Sequence, residues 1–131
     1  MTSTDQTPSL SAHAANWYAT TGARFANVRR NTPETGKAFQ AMHQALMRPG
    51  ALSALEKELI ALGIGLAVRC ENCIFAHVKA CRQLGATREQ ILEVIGVATL
   101  MGGGPVWSHA PLVVEALDAL DALKGAADAA S

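Results

Sequence analysis

The stretch Ser53–Val68, SALEKELIALGIGLAV, constrains the fold of this chain more than any other. Ser53 with Glu56 three residues later has the spacing of a capping box, a helix start in which each side chain satisfies the other's backbone N–H. Behind it Leu55, Leu59, Leu62 and Leu66 form a stripe, and apolar residues soon surround the whole helix. A helix apolar on all sides belongs at the centre of a fold. Further helix signals flank it. Trp17, Phe25 and Val28 fall at roughly helical spacing within Ala14–Val28, although Thr20, Thr21 and Gly22 interrupt that segment. Thr32-Pro33-Glu34 combines a cap, a proline at the first helical position and an early acid. It opens a helix with Ala38, Phe39, Met42 and Leu46 on one side, stopped by Arg48-Pro49-Gly50. Cys70 to Leu84 is the next helix, ended by Gly85. Thr87 with Gln90 repeats the capping-box spacing and places Ile91, Leu92, Ile95 and Ala98 inward, until Met101-Gly102-Gly103-Gly104-Pro105 breaks the helix. A last helix runs through Val113, Leu117, Leu120 and Leu123, with Pro111 near its start or kinking it. No strand-like alternation or hairpin turn competes. The expected fold is all-α, a compact bundle of about five to six helices, and the long apolar last helix also suits burial between subunits.

At 131 residues one domain is expected. It would comprise a flexible segment 1–13, a single helical domain 14–125 and a frayed tail 126–131. Hydrophobic residues make up 50% but aromatics only 5%, so the core is one of Ala, Leu, Ile and Val. Eleven basic and eleven acidic residues cancel, which argues against nucleic acid or an anionic membrane surface as partner. The start MTSTDQTPSLSAHAAN lacks the basic opening and apolar stretch of a signal peptide. The most apolar run, Leu59–Val68, is about half of the roughly 20 residues that a bilayer span needs. A cytoplasmic setting follows, where thiols are kept reduced.

CENCIFAH, Cys70–His77, carries the chemistry. Three readings compete: a redox dithiol, a metal clamp, or two small buried hydrophobes at a packed helix start. Cys70 lies at a junction of helices and Cys73 in the first turn of the second, where unpaired N–H groups favour a thiolate. His77 follows Cys73 by four and shares its face. Glu58 borders the most apolar segment and lies beyond the first turn, so capping does not explain it. Twelve residues separate it from Cys70, roughly 18 Å along an unbroken helix. If the following helix folds back antiparallel, His77 returns toward Glu58, and Glu58–His77–Cys73 becomes a possible relay. A zinc site could draw on Cys70, Cys73 and His77 with Glu58 or His109, but no second CxxC or HxxxH supplies another knuckle. Cys81, a turn beyond His77, is most simply a core residue. His13 and His43 read as surface or helix-edge residues, and His109 as packing or a pocket wall near Trp107. The glycine run lacks the Lys-Ser/Thr of a phosphate loop.

Glu58, Cys70-Glu71-Asn72-Cys73 and His77, with Gly85-Ala86-Thr87 and the glycine-rich turn, resemble the alkylhydroperoxidase D-like proteins of the carboxymuconolactone decarboxylase family. The resemblance covers about residues 50 to 120. It implies an all-α fold assembled as a homo-oligomer, a trimer or hexamer. It also implies thiol-dependent reduction of a small-molecule hydroperoxide, with an external dithiol or protein reductant and neither cofactor nor metal. Cys73 would attack the peroxide, Cys70 would close the disulfide, and His77 with Glu58 would move the proton. The two cysteine roles could also be exchanged. One position departs from the peroxidase pattern: where a second histidine precedes the second cysteine, this chain has Asn72, which hydrogen-bonds but does not shuttle protons. Family members related to the lactone decarboxylases lack that dithiol, so the resemblance favours the peroxidase side; a lyase using His77 and Glu58 is the alternative, and a non-catalytic zinc-binding or interaction module is another.

Overall fold

The computed structural model describes residues 9–131, and among them there are helices and no strand. Six long helices and one single turn follow in order: α1 (Ala12–Asn31), α2 (Pro33–Met47), α3 (Ala54–Ala67), α4 (Glu71–Gln83), α5 (Arg88–Gly102), α6 (Gly104–Trp107) and α7 (Ala110–Ala130). The expected all-α bundle is therefore observed. Both capping boxes form. Ser53 Oγ accepts from the Glu56 N–H at 3.0 Å while Glu56 accepts from the Ser53 N–H at 2.7 Å, and Thr87 and Gln90 repeat the exchange at 3.1 and 2.9 Å. Pro33 occupies the start of α2 as expected, but Thr32 does not cap it. Its hydroxyl turns back and donates to the Val28 carbonyl at 2.8 Å, closing α1 instead.

Helix α3 packs chiefly on α4 and α5, α4 also lies on α7, and α1 crosses α7 and reaches α4. Leu62, Leu66, Ile74, Phe75, Ile91 and Leu117 are fully buried where these helices meet. The centrality of α3 holds for one face only: Ile60, Ile64 and Val68 on its other side are exposed. Helix α2 buries none of its residues, and its apolar side, with Phe39, Met42 and Leu46, faces outward. Leu92 and Leu123 also point out rather than in.

Two tight connections set the α3–α4–α5 geometry. At the end of α3 the Cys70 N–H bonds to the Gly65 carbonyl at 3.0 Å and the Arg69 N–H to the Leu66 carbonyl at 3.1 Å. This is the Schellman pattern, which requires a left-handed residue after the cap. Arg69 fills that role with φ 57°. The same pattern closes α4, with Ala86 bonding to Cys81 and Gly85 to Arg82, and there a glycine with φ 90° does it without a Cβ penalty.

Two ends differ from expectation. Helix α1 begins at Ala12 and runs unbroken through Thr20-Thr21-Gly22, because Ala14 and Trp17 are buried and tertiary packing outweighs local propensity. Residues 1–8 of the expected flexible segment lie outside the described residues. The segment expected as a tail is helical, with α7 continuing to Ala130. Alanine, the strongest helix former, fills most of that segment and offsets Gly125. Among the described residues no helix is long and apolar enough to cross a membrane.

Candidate active site

The turn after α3 delivers Cys70 to the N-cap of α4, with Cys73 in its first turn. The two sulfurs are joined as a disulfide, with Cα atoms 5.2 Å apart. Cys70 Sγ also accepts the backbone N–H of Cys73 at 3.2 Å. One orphan donor of the helix start is thereby aimed at a sulfur, and a thiolate at that position gains both this bond and the positive end of the helix dipole. Both cysteines are half-buried, so the sulfurs are neither sealed in the core nor fully open to solvent. Gly65 lets the two helices approach here: a Cβ at that position would lie 3.2 Å from the Cβ of Cys73.

The expected fold-back of α4 along α3 brings Glu58 and His77 together. His77 Nδ1 lies 2.6 Å from Glu58 Oε2. Glu58 is the one charged residue in the core among the described residues, only 7% exposed. A buried carboxylate needs a partner, and His77, one turn beyond Cys73, supplies it. The contact fixes the imidazole: Nδ1 faces the carboxylate, and Nε2 is left for a proton at the opposite edge. Cys81 lies fully buried another turn along α4. Burial, and then the Glu58 charge, push its thiol up to about 12, so it stays protonated and inert at neutral pH. The structure thus brings Glu58 and His77 into contact and Cys70 and Cys73 into a bond. Neither Cys81 nor His109 is drawn in. The His109 ring donates from Nδ1 to the Pro105 carbonyl at 2.9 Å and so braces the α6 turn. With the two sulfurs bonded to each other, no group of three or more His, Cys, Asp or Glu side chains among the described residues is placed to hold a metal ion.

Local spacing did not reveal the contribution of α1. Trp17 Nε1 donates to Asn72 Oδ1 at 2.6 Å, Tyr18 donates from its hydroxyl to the Phe75 carbonyl at 2.7 Å, and His13 pairs with Glu71. The rings of Trp17 and Tyr18 pack on Phe75 with centroids 5.6 and 6.0 Å apart. Burial raises the Tyr18 phenol above its ordinary value and keeps it a donor. These contacts join residues more than 50 positions apart, so no short-range pattern could signal them. Asn72, between the two cysteines, is thereby tied to α1.

The sequence model of the carboxymuconolactone decarboxylase family matches residues 33–116. The chain belongs to this family. A Paracoccus denitrificans relative, the uncharacterized protein 4 in cox locus, is 40% identical over 84 residues, which are 64% of this chain and 76% of that one. The alkyl hydroperoxide reductase AhpD of Mycobacteroides abscessus is 35% identical over 48 residues, 37% of this chain and 27% of the relative. Among solved structures, the family member apo-lpg0406 from Legionella pneumophila superposes with a TM-score of 0.67 at 38% identity, covering 85% of this chain and 94% of its own. A Thermotoga maritima member, for which involvement in an antioxidative response is suggested, gives 0.65 at 34% identity, with coverages of 70% and 94%. Together these similarities agree with an alkylhydroperoxidase D-like member of the family.

Proposed function

We propose that the protein is a thiol-dependent peroxidase that reduces small hydroperoxides through Cys70 and Cys73. The observation that carries this reading is the disulfide at the start of α4, one turn from a buried Glu58–His77 pair. His77 takes the proton of the Cys73 thiol, and the buried carboxylate compensates the charge that the imidazole acquires. The Cys73 thiolate then attacks the outer peroxide oxygen, the O–O bond breaks, and the departing alkoxide takes a proton to leave as the alcohol. Cys73 is now a sulfenic acid. Cys70, whose negative form accepts the Cys73 N–H, attacks that sulfur and expels hydroxide, which leaves as water once protonated. The sum is one hydroperoxide and two thiols giving an alcohol, water and the disulfide. An external dithiol, small or on a protein, returns the pair to the reduced state by exchange. A cytoplasmic setting, where such reductants are kept, suits this cycle.

A trimer or hexamer of this chain belongs to the same proposal. Phe39, Met42 and Leu46 on α2, with Ile60, Ile64 and Val68 on α3, are exposed apolar residues that an isolated subunit leaves uncovered. Sedimentation showing only a monomer would count against the assembly.

The test of the reaction is intact mass of the fully reduced protein before and after one equivalent of an organic hydroperoxide. Loss of two hydrogens, mapped to Cys70–Cys73, is expected, and in Cys73→Ser no sulfenic acid should be trapped. If trapping instead labels Cys70 in that variant, the two cysteine roles are exchanged. An unchanged mass sinks the peroxidase reading. A second reading, a lyase acting on a small ring acid, is favoured by the Glu58–His77 pair taken alone, since that pair could do acid–base chemistry without thiols. Turnover of such an acid that survives the double Cys→Ser change would establish it.

A further inference from the structure

The disulfide closes a short loop, Cys70-Glu71-Asn72-Cys73, and both residues between the cysteines are held from outside it. Helix α1 supplies both anchors: His13 pairs with Glu71, and Trp17 Nε1 donates to Asn72 Oδ1 at 2.6 Å. The anchors are unequal. The His13 and Glu71 side chains are 61% and 42% exposed, and an ion pair so open to water holds its partners weakly. Trp17 is 7% exposed and its hydrogen bond is part-buried, so less water competes for the donor. The indole is itself fixed in place. Its ring packs on Phe75 and edge-on to Tyr18, and the Tyr18 hydroxyl ties α1 to the Phe75 carbonyl, just beyond the loop.

In the oxidised protein the S–S bond keeps this loop closed by itself. In the reduced protein no bond joins the sulfurs, and the anchors on α1 are what hold Glu71 and Asn72 in the first helical turn. We propose that Trp17 is a positioning residue for the dithiol: through Asn72 it keeps the reduced Cys70–Cys73 loop in the geometry from which the disulfide closes. The reduced state then gains little freedom when the disulfide opens, so the disulfide is harder to reduce. The same restraint keeps the Cys70 thiol beside Cys73. In the proposed cycle its attack on the Cys73 sulfenic acid, which forms the S–S bond and releases water, then outruns a second hydroperoxide. That second hydroperoxide would turn the sulfenic acid into a sulfinic acid and leave as the alcohol. The effect on closure rests on the thiol-peroxidase reading, whereas the effect on the potential does not. A hydrogen bond of this kind shifts an equilibrium by roughly two- to tenfold. For a two-electron couple that is roughly 10–30 mV.

The experiment measures the reduction potential of Cys70–Cys73 against mixtures of reduced and oxidised dithiothreitol. A second arm measures, by intact mass, the sulfinic acid left by excess tert-butyl hydroperoxide. Trp17→Phe keeps an aromatic ring in the core and deletes the donor. Asn72→Val deletes the acceptor at an exposed position with similar helix propensity, so the core stays intact if Trp17→Phe fails to fold. Each should raise the potential by roughly 10–30 mV and the sulfinic fraction by roughly two- to tenfold. The double variant should do no more than either alone, because both changes remove the same bond. Tyr18→Phe loses a hydrogen bond to a carbonyl outside the loop and should leave the potential at its native value. An unmoved potential in Asn72→Val or in folded Trp17→Phe, shifts that add in the double variant, or an equal shift in Tyr18→Phe overturns the proposal and makes the contact structural. The expected potential shifts in a protein whose thiols no peroxide oxidises would support the positioning role and remove the peroxidase reading alone.

Discussion

Replacing Glu58 with Gln removes one charge and almost no volume from the most buried polar contact of the site. The amide oxygen can still accept from His77 Nδ1, so the ring keeps its orientation. What is lost is compensation of the positive charge that the imidazole acquires as it takes a proton. With charge centres about 4 Å apart and an effective dielectric constant of 20, the attraction is about 4 kcal/mol before solvation is counted. Part of that is offset by the cost of burying Glu58, which is 7% exposed. Hydrogen bonds to charged groups retain about 1.5–3 kcal/mol net. At about 1.4 kcal/mol per factor of ten, oxidation of the dithiol by tert-butyl hydroperoxide should slow by roughly 10- to 150-fold. Stability should move little, by under about 1 kcal/mol, because the variant buries an amide where the native chain buries a charge. Stopped-flow oxidation of reduced protein, beside a urea titration, reads both quantities. A rate within twofold of the native protein would refute the argument and make the Glu58–His77 contact structural. A large loss of stability with the same fall in rate would refute the claim that the charge acts on the chemical step.

Gly65→Ala gains about 1 kcal/mol of helix propensity but sets a methyl 3.2 Å from Cys73 Cβ. The helices must part by a few tenths of an ångström, so dithiol oxidation should slow while the urea midpoint barely rises; a clearly stabilised variant with native rates would show that the approach is not tight. Arg69→Gly relieves a left-handed residue at φ 57° and should stabilise by about 1 kcal/mol in denaturant titration; destabilisation would mean that the arginine side chain contributes more than its backbone costs. Cys81, pushed up to about 12 by burial and then by Glu58, should resist alkylation at pH 8 while reduced Cys70 and Cys73 react. Because its folded value lies above its unfolded one, its share of stability is whole below about pH 9 and should be lost as pH rises toward 12. Cys81→Ala protein, which lacks that group, should show a smaller loss between those limits, and an identical alkaline decline in both proteins would discount the shift.

Much of the fold was legible because helix boundaries here are chemical. Ser53 with Glu56, and Thr87 with Gln90, are reciprocal caps whose partners lie three residues apart, and Gly85 stands where a left-handed turn is needed. The approach of His77 to Glu58 was legible only as a condition, since a short turn between two helices permits an antiparallel return but does not force one. The outward faces were misjudged for one physical reason. The apolar girth of α3, and Leu92 on α5, state that a face is apolar but not what covers it, and within one subunit Ile60, Ile64 and Leu92 stay exposed. The docking of Trp17 and Tyr18 onto α4 was illegible because it joins segments more than 50 residues apart and rests on two hydrogen bonds without sequence spacing. The helical course of the tail was not legible because Gly125 and small residues carry no packing pattern, whereas alanine favours a helix by propensity.

The first turn of α4 has two working sides, and helical periodicity keeps them apart. Cys70, Cys73 and His77 recur at intervals of three and four and so share the side that meets α3, where Gly65 admits Cys73 and Glu58 meets His77. Glu71, Asn72 and Phe75 engage α1 through His13, Trp17 and Tyr18. Asn72 does not titrate, and its carbonyl oxygen is committed to Trp17, so the proposed proton traffic has one route, through His77. A change at Glu58 should therefore slow every peroxide by the same factor. That follows because the imidazole must be charged whatever oxygen the sulfur attacks.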